Sequence, residues 1–174
     1  MRRTESYKVE GDANSLWHVY KTVSFWKVVK CFIFIQLGRV TPFMGLKNWI
    51  YRTFLRMKIG KKVSLALMVM PDTMFPERIY IGDNTIIGYN TTILAHEYLI
   101  DEYRLGDVKI GRNVMVGANS TILPGVEIGD GAIVSAATLV HKDVPAGAMV
   151  GGNPMRVIFT AEEMAKRRKR KSES

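Results

Sequence analysis

The sequence predicts a mainly β solenoid, a parallel β-helix with helices at its N-terminal side and a short one at its C-terminal side, and two patterns carry that prediction. First, from Ile81 onward an aliphatic residue recurs every six positions: Ile81, Ile87 and Ile93, then Ile110, Val116, Ile122, Ile128, Val134 and Val140. No helix has that period. Second, the slot three places after each aliphatic holds Asn84, Asn90, His96, Asn113, Asn119, Gly125, Gly131, Ala137 and Asp143. Asn, Gly, Asp and His best tolerate positive φ, so this slot marks a corner.

The remaining slots complete the repeat. Gly82, Gly88, Gly111, Gly117 and Gly129 directly follow a ladder residue. Four places after the ladder stand Thr85, Thr91, Val114, Ser120, Val126, Ala132, Thr138 and Val144. One large and one small inward residue per six suits a short flat strand followed by a tight corner. Coils stacked ~4.8 Å apart would pair their backbones above and below and line up the aliphatics in a dry ladder. The period itself leaves the handedness open.

Residues 1–57 precede the repeat and form an N-terminal helical segment. From Ser15 to Met57 the six-residue period is absent and the pattern is helical, with Asn14 or Ser15 as N-cap and Pro42 ending the first of two helices. His18, Lys21, Ser24, Lys27 and Lys30 fall three apart and drift around the axis, so no clean polar face forms. Trp17, Tyr20, Phe25, Trp26, Phe32 and Phe34 still need cover, from the first coils, a neighbouring subunit or a membrane surface. The β-helix occupies 58–158. Residues 159–174 are expected to form a final helix from Thr160 to Arg170, capped at Thr160, before a basic tail frays.

Composition narrows the class. One main domain suits 174 residues at 47% apolar. The single cysteine, Cys31, has no internal disulfide partner, and with no cleavable leader evident a reducing, cytoplasmic setting is expected, peripheral at the membrane if the helices lie on it. Lys21, Lys27 and Lys30 interrupt the apolar stretch from Leu16 to Leu37, which therefore does not span a bilayer. The net charge of +9 is concentrated in Lys166 to Ser174, a basic tail expected to be solvated and disordered, with contact to an anionic membrane surface as the alternative, so nucleic acid is not an expected partner.

The repeat fails once. After Ile93 the next clear unit begins at Ile110, and the inward slot between them holds Glu97, too costly to bury unpaired among aliphatics. The chain should swing outward there, with residues 98–107 as a polar and aromatic excursion. Loops on rigid scaffolds are where functional groups concentrate. His96, on the last corner before the excursion, is the candidate general base, since imidazole titrates near working pH; it also fits a corner as Asn84 and Asn90 do. Glu97, Asp101, Glu102 or a backbone carbonyl could orient it.

The segment 110–158, IGRNVMVGANSTILPGVEIGDGAIVSAATLVHKDVPAGAMVGGNPMRVI, resembles the end of the bacterial hexapeptide-repeat acetyltransferases of the maltose and galactoside type. Its closing pieces, Val140 to Pro145 and Gly152 to Ile158, make the match specific. The resemblance covers about residues 59–158 and implies a left-handed β-helix, a homotrimer with shared active sites, and transfer of an acetyl group from acetyl-CoA to a hydroxyl of a sugar or other small acceptor. No metal is implied. It further implies that His96 is the base and that the Gly117-Ala118 main chain, catalytic at Ala118, serves the oxyanion. Coenzyme contacts would fall at Met115, Gly117, Ala118, Ala136, Lys142, Asn153 and Arg156. Met115 and Met155 stand where such enzymes commonly carry tryptophan and alanine, which affects the finer shape of the pantetheine channel.

Two other classes share the scaffold. A β-helical zinc lyase needs several histidines around one metal, whereas this chain has His18, His96 and His141 and no pair at ligand spacing. A non-catalytic scaffold or membrane-surface adaptor would neither bind CoA nor depend on His96.

Overall fold

The computed structural model describes residues 2–172. The chain opens with strand β1 (Glu5–Lys8), a 3-10 turn over Ser15–His18, and helices α1 (Val19–Thr22), α2 (Phe25–Val40) and α3 (Met44–Phe54). Coil one follows as β2 (Lys58–Ile59), β3 (Ser64–Leu65) and β4 (Met70–Pro71), and coil two as β5 (Ile79–Ile81), β6 (Ile86–Ile87) and β7 (Thr92–Ile93). A hairpin, β8 (His96–Tyr98) and β9 (Glu102–Leu105), interrupts the winding. Coil three is β10 (Val108–Ile110), β11 (Met115–Val116) and β12 (Thr121–Ile122); coil four is β13 (Glu127–Ile128), β14 (Ile133–Val134) and β15 (Leu139–Val140). The end is β16 (Met149–Gly151), β17 (Arg156–Phe159) and α4 (Ala161–Ser172).

Each coil contributes one short strand to each of three parallel sheets: β13-β10-β5-β2, β16-β14-β11-β6-β3 with β17 added antiparallel, and β15-β12-β7-β4. The nine ladder residues from Ile81 to Val140 are all 3% exposed or less, and the small slots from Thr85 to Val144 are buried with them. The buried hydroxyls are satisfied from within the coils: Thr85 donates to Gly111 O, Thr91 to Gly117 O, and Thr138 to Ser135 O. The corner slot is equally well resolved. Asn84, Asn90, Asn113, Asn119 and Ala137 have positive φ, as do Gly125 and Gly131. Asparagine side chains also pair along it, Asn84 to Asn113 and Asn90 to Asn119. His96 and Asp143 are not among the positive-φ residues; His96 instead begins β8.

A solenoid end leaves a row of unpaired backbone groups. At coil one, α3 covers it with side chains. Lys47 donates to Leu65 O and Ala66 O, Asn48 to Val63 O, and Arg52 to Ile59 O and Gly60 O. Lys47 is buried, and desolvation lowers its pKa. α3 is held against α2 where Tyr51 crosses Gly38; a Cβ there would sit 2.2 Å from Tyr51 Cε1.

The N-terminal segment departs from expectation in two respects. It is not wholly helical, since β1 pairs antiparallel with β9. The first predicted helix breaks at Val23, which is extended and buried, before α2 begins. Asn14 caps the initial turn by accepting from Trp17 N, while the Ser15 hydroxyl reaches Leu99 O. α2 stops at Val40, as Pro42 requires of the residues before it. The final helix forms with the expected Thr160 cap and takes in the charge run: α4 reaches Ser172, opened by a reciprocal Thr160 and Glu163 cap and anchored by Met164 and by Arg167 over the Phe159 ring. Residues 173–174 of the expected tail lie outside the described residues.

Candidate active site

Two interruptions of the winding stack at the same corner, the one after β4 and β7. Ile59 lies opposite Ile81, Ile81 opposite Ile110, and Ile110 opposite Ile128. Successive coils therefore start 22, 29 and 18 residues apart, so coil one carries 4 extra residues and coil two carries 11. The longer insertion is the β8–β9 hairpin, which closes on itself where Gly106 N donates to Ala95 O. Glu97 does leave the ladder, and it pairs with Arg2 at 2.6 Å. The shorter insertion begins at Asp72, whose coil neighbours across the sheet are Leu94 and Ala95, because Pro71 pairs with Ile93.

Asp72 is 1% exposed and saturated with donors. Its Oδ1 accepts from Met74 N and Phe75 N, both at 2.8 Å. Its Oδ2 accepts from Ala95 N at 2.7 Å and His96 N at 3.1 Å, and lies 2.6 Å from His96 Nδ1. Burial by itself would raise the carboxyl pKa. The His96 ring and the Phe75 and Ala95 amides outweigh it, so the group is held below the usual carboxylate range. Asp72 thus fixes the imidazole by its Nδ1 side and sets the ring's other nitrogen, Nε2, as the one free to exchange a proton.

None of the sequence candidates for orienting His96 does so. Glu97 is engaged by Arg2, Glu102 by Arg104, and Asp101 meets the N-terminal strand through its carbonyl, which accepts from Val9 N. The true partner stands 24 residues upstream, before the run of repeats that begins at Ile81. A signal existed: Ile59, Leu65 and Pro71 run at six-residue spacing, and Asp72 directly follows the last of them, in the slot that glycine holds after Ile59, Ile81 and Ile87.

The N-terminal elements wall this corner. The Phe75 and Tyr98 rings meet His96 edge-on at 5.9 and 5.4 Å. Thr22 of α1 shares a 2.6 Å hydrogen bond with the Tyr98 hydroxyl. Lys27 of α2 lies 4.8 Å over the Phe75 ring and pairs with Glu77. The His96 side chain keeps 15% of its surface exposed.

The other predicted positions gather elsewhere. Gly88, Gly117-Ala118 and Ser135-Ala136 stack at the corner after the six-stranded sheet, where Ala137 N donates to Ala118 O. A Cβ on Gly117 would lie 2.4 Å from Ala136 N, so the close stacking demands glycine. Met115 projects outward from that sheet between Ile86 and Ile133, Asn153 follows its strand β16, and Arg156 sits on β17. Lys142, by contrast, follows β15 on the corner that carries His96 two coils away. One subunit therefore does not bring His96 and Ala118 to the same edge. His141 contacts Leu139 O, His18 lies in the N-terminal turn, and among the described residues no three His, Cys, Asp or Glu side chains gather as metal ligands.

The fold and repeat define the class: residues 107–142 match the family model described as bacterial transferase hexapeptide (six repeats), and the chain belongs to the hexapeptide-repeat acetyltransferase family. Its coils are those of the left-handed parallel β-helix. In sequence it is similar to the "Putative acetyltransferase YvoF" of Bacillus subtilis (strain 168), 72% identical over 99% of this chain and 100% of that protein. In fold it is similar to the maltose O-acetyltransferase from Clostridium difficile 630, at 24% identity and a TM-score of 0.59 over 79% of this chain and 88% of that one. It is likewise similar to the Vibrio cholerae O1 biovar eltor hexapeptide-repeat acetyltransferase VCA0836 complexed with acetyl coenzyme A, at 20% identity and a TM-score of 0.60 over 78% and 87%.

Proposed function

We propose that this protein transfers an acetyl group from acetyl-CoA to a hydroxyl of a sugar or another small acceptor, with His96 as general base. The observation that carries the proposal is the buried Asp72 carboxylate, 2.6 Å from His96 Nδ1 at the interrupted corner. A buried carboxylate with five N–H groups on it is an expensive arrangement whose effect is to fix one ring's tautomer and direction.

In the reaction, Nε2 of His96 takes the acceptor's hydroxyl proton as its oxygen attacks the thioester carbonyl carbon. The tetrahedral oxyanion is stabilised by the main-chain N–H at Ala118, and when the C–S bond breaks the imidazolium returns the proton to the departing thiolate. Because His96 and the Ala118 edge occupy different corners of one coil stack, a complete site takes its base from one subunit and its donor slot from the next. A homotrimer meets that need. The donor slot would be the edge formed by Met115, Gly117, Ala118, Ala136, Asn153 and Arg156, where small residues stand beside an outward methionine. Lys142, on the His96 corner, would approach the coenzyme from the other subunit.

Titration calorimetry with acetyl-CoA tests the donor half without knowledge of the acceptor. Saturable binding at about one site per subunit is expected, weakened at least about tenfold by Ala118→Trp. Absence of heat at high micromolar coenzyme would overturn the proposal.

A further inference from the structure

The surface that the fold leaves unexplained belongs to the N-terminal helices. α2 is apolar on both sides: Cys31, Ile35 and Gly38 are buried, while Trp26, Ile33, Leu37 and Val40, at helical spacing on the opposite side, are exposed. All three tryptophans of the chain lie in this segment, and Trp17, Trp26 and Trp49 are 80, 75 and 53% exposed. Ring contacts join the helices into one surface, through Tyr20, Phe25 and Trp26 between α1 and α2, and through Phe34, Phe54 and Trp49 between α2 and α3. An exposed apolar face of this extent marks an interaction surface.

Charge indicates the occupant. Between Asp12 and Asp72 the sequence contains no Asp or Glu, yet it carries Lys21, Lys27, Lys30, Arg39, Lys47, Arg52, Arg56, Lys58, Lys61 and Lys62. Lys21 and Lys30 are exposed beside the aromatic residues. A second copy presenting the same face would set cation against cation. An anionic bilayer surface satisfies both features, since tryptophans sit at the headgroup level and lysines meet the phosphates. No helix among the described residues is long and apolar enough to cross a membrane.

We infer that α1, α2 and α3 form a docking surface for anionic lipid headgroups, with the helices lying in the plane of the interface. The same helices wall the His96 corner through Thr22 and Lys27, so docking brings that corner to the headgroup layer. The inference does not depend on which acceptor is acetylated.

The test is sedimentation of the full chain with phosphatidylcholine vesicles, with and without about one-third phosphatidylglycerol, alongside tryptophan emission. Expected are co-sedimentation and a blue-shifted emission with the anionic vesicles only, both weakened by salt. The exposed triple variant Trp26→Ser, Ile33→Ser, Leu37→Ser should bind roughly tenfold less or worse, with unchanged circular dichroism and acetyl-CoA titration. Lys21→Glu with Lys30→Glu, which keeps the apolar side chains, should weaken binding as well. Free protein with unshifted emission, or a triple variant that binds as well as the natural chain, would overturn the inference. So would a triple variant with a smaller oligomeric mass, which would assign the face to a second copy.

Discussion

Two corners of the same coils behave differently. The corner after the six-stranded sheet repeats without interruption, with Gly88, Ala118 and Ala136 stacked at close quarters. The corner after β4 and β7 is broken twice, by 4 and then 11 extra residues, and there Asp72 and His96 meet. Regularity supplies a rigid frame whose backbone is already satisfied, and the insertions add side chains to it without disturbing the ladder. The frame holds the stability, and the proposed chemistry falls at the interruption.

The largest effect should come from damaging the frame. Ile122→Asp places a carboxylate at a fully buried ladder position and should cost several kcal/mol, on the order of 4 or more, read as a fall in denaturant midpoint. If melting were unchanged, the ladder would not be what holds the coils. Asp72→Ala is expected next, at about 3 kcal/mol, because five N–H groups lose their acceptor. It should also cut turnover, and Asp72→Asn should do so with less loss of stability; full activity in Asp72→Asn would sever the link between carboxylate and imidazole.

Acid sensitivity sharpens the same contrast. The Asp72 pKa is depressed in the folded chain, so its contribution is fully present above the unfolded value near 3.8 and is lost as pH falls through the lower folded value. The stability difference between the natural chain and Asp72→Asn should shrink between about pH 5 and pH 2. A difference that is flat with pH would show that the carboxylate's charge contributes nothing. The smallest effect is expected at a regular corner: Asn113→Ala loses the Asn84 hydrogen bond and strains a positive φ, for about 1 kcal/mol with turnover intact.

What was legible in the sequence follows the same division. Inward positions and corners recur at a fixed spacing, so each repeat reinforces the next, and every ladder residue named from the spacing is buried. His96 was visible because it falls at the break. Asp72 was not singled out, because its role depends on register between two neighbouring coils rather than on a local pattern. The cover that β1, the Ser15–His18 turn and α1 give the hairpin was likewise missed: it rests on long-range contacts such as Ser15 with Leu99, Thr22 with Tyr98 and Arg2 with Glu97, which leave no periodic trace. The break at Val23 shows tertiary packing overriding a helical stretch. In α4 a capping box prevailed over the charge run that suggested a loose end.

The most direct test of the interrupted corner is acceptor-dependent release of thiol from acetyl-CoA, measured across a panel of sugar hydroxyl acceptors for the natural chain and His96→Ala together. The expected result is turnover with the natural chain and a loss of about a hundredfold or more in the variant, with the acetyl-CoA titration nearly unchanged and the circular dichroism of the fold retained. Equal rates in the two proteins would contradict the assignment of His96 as the base.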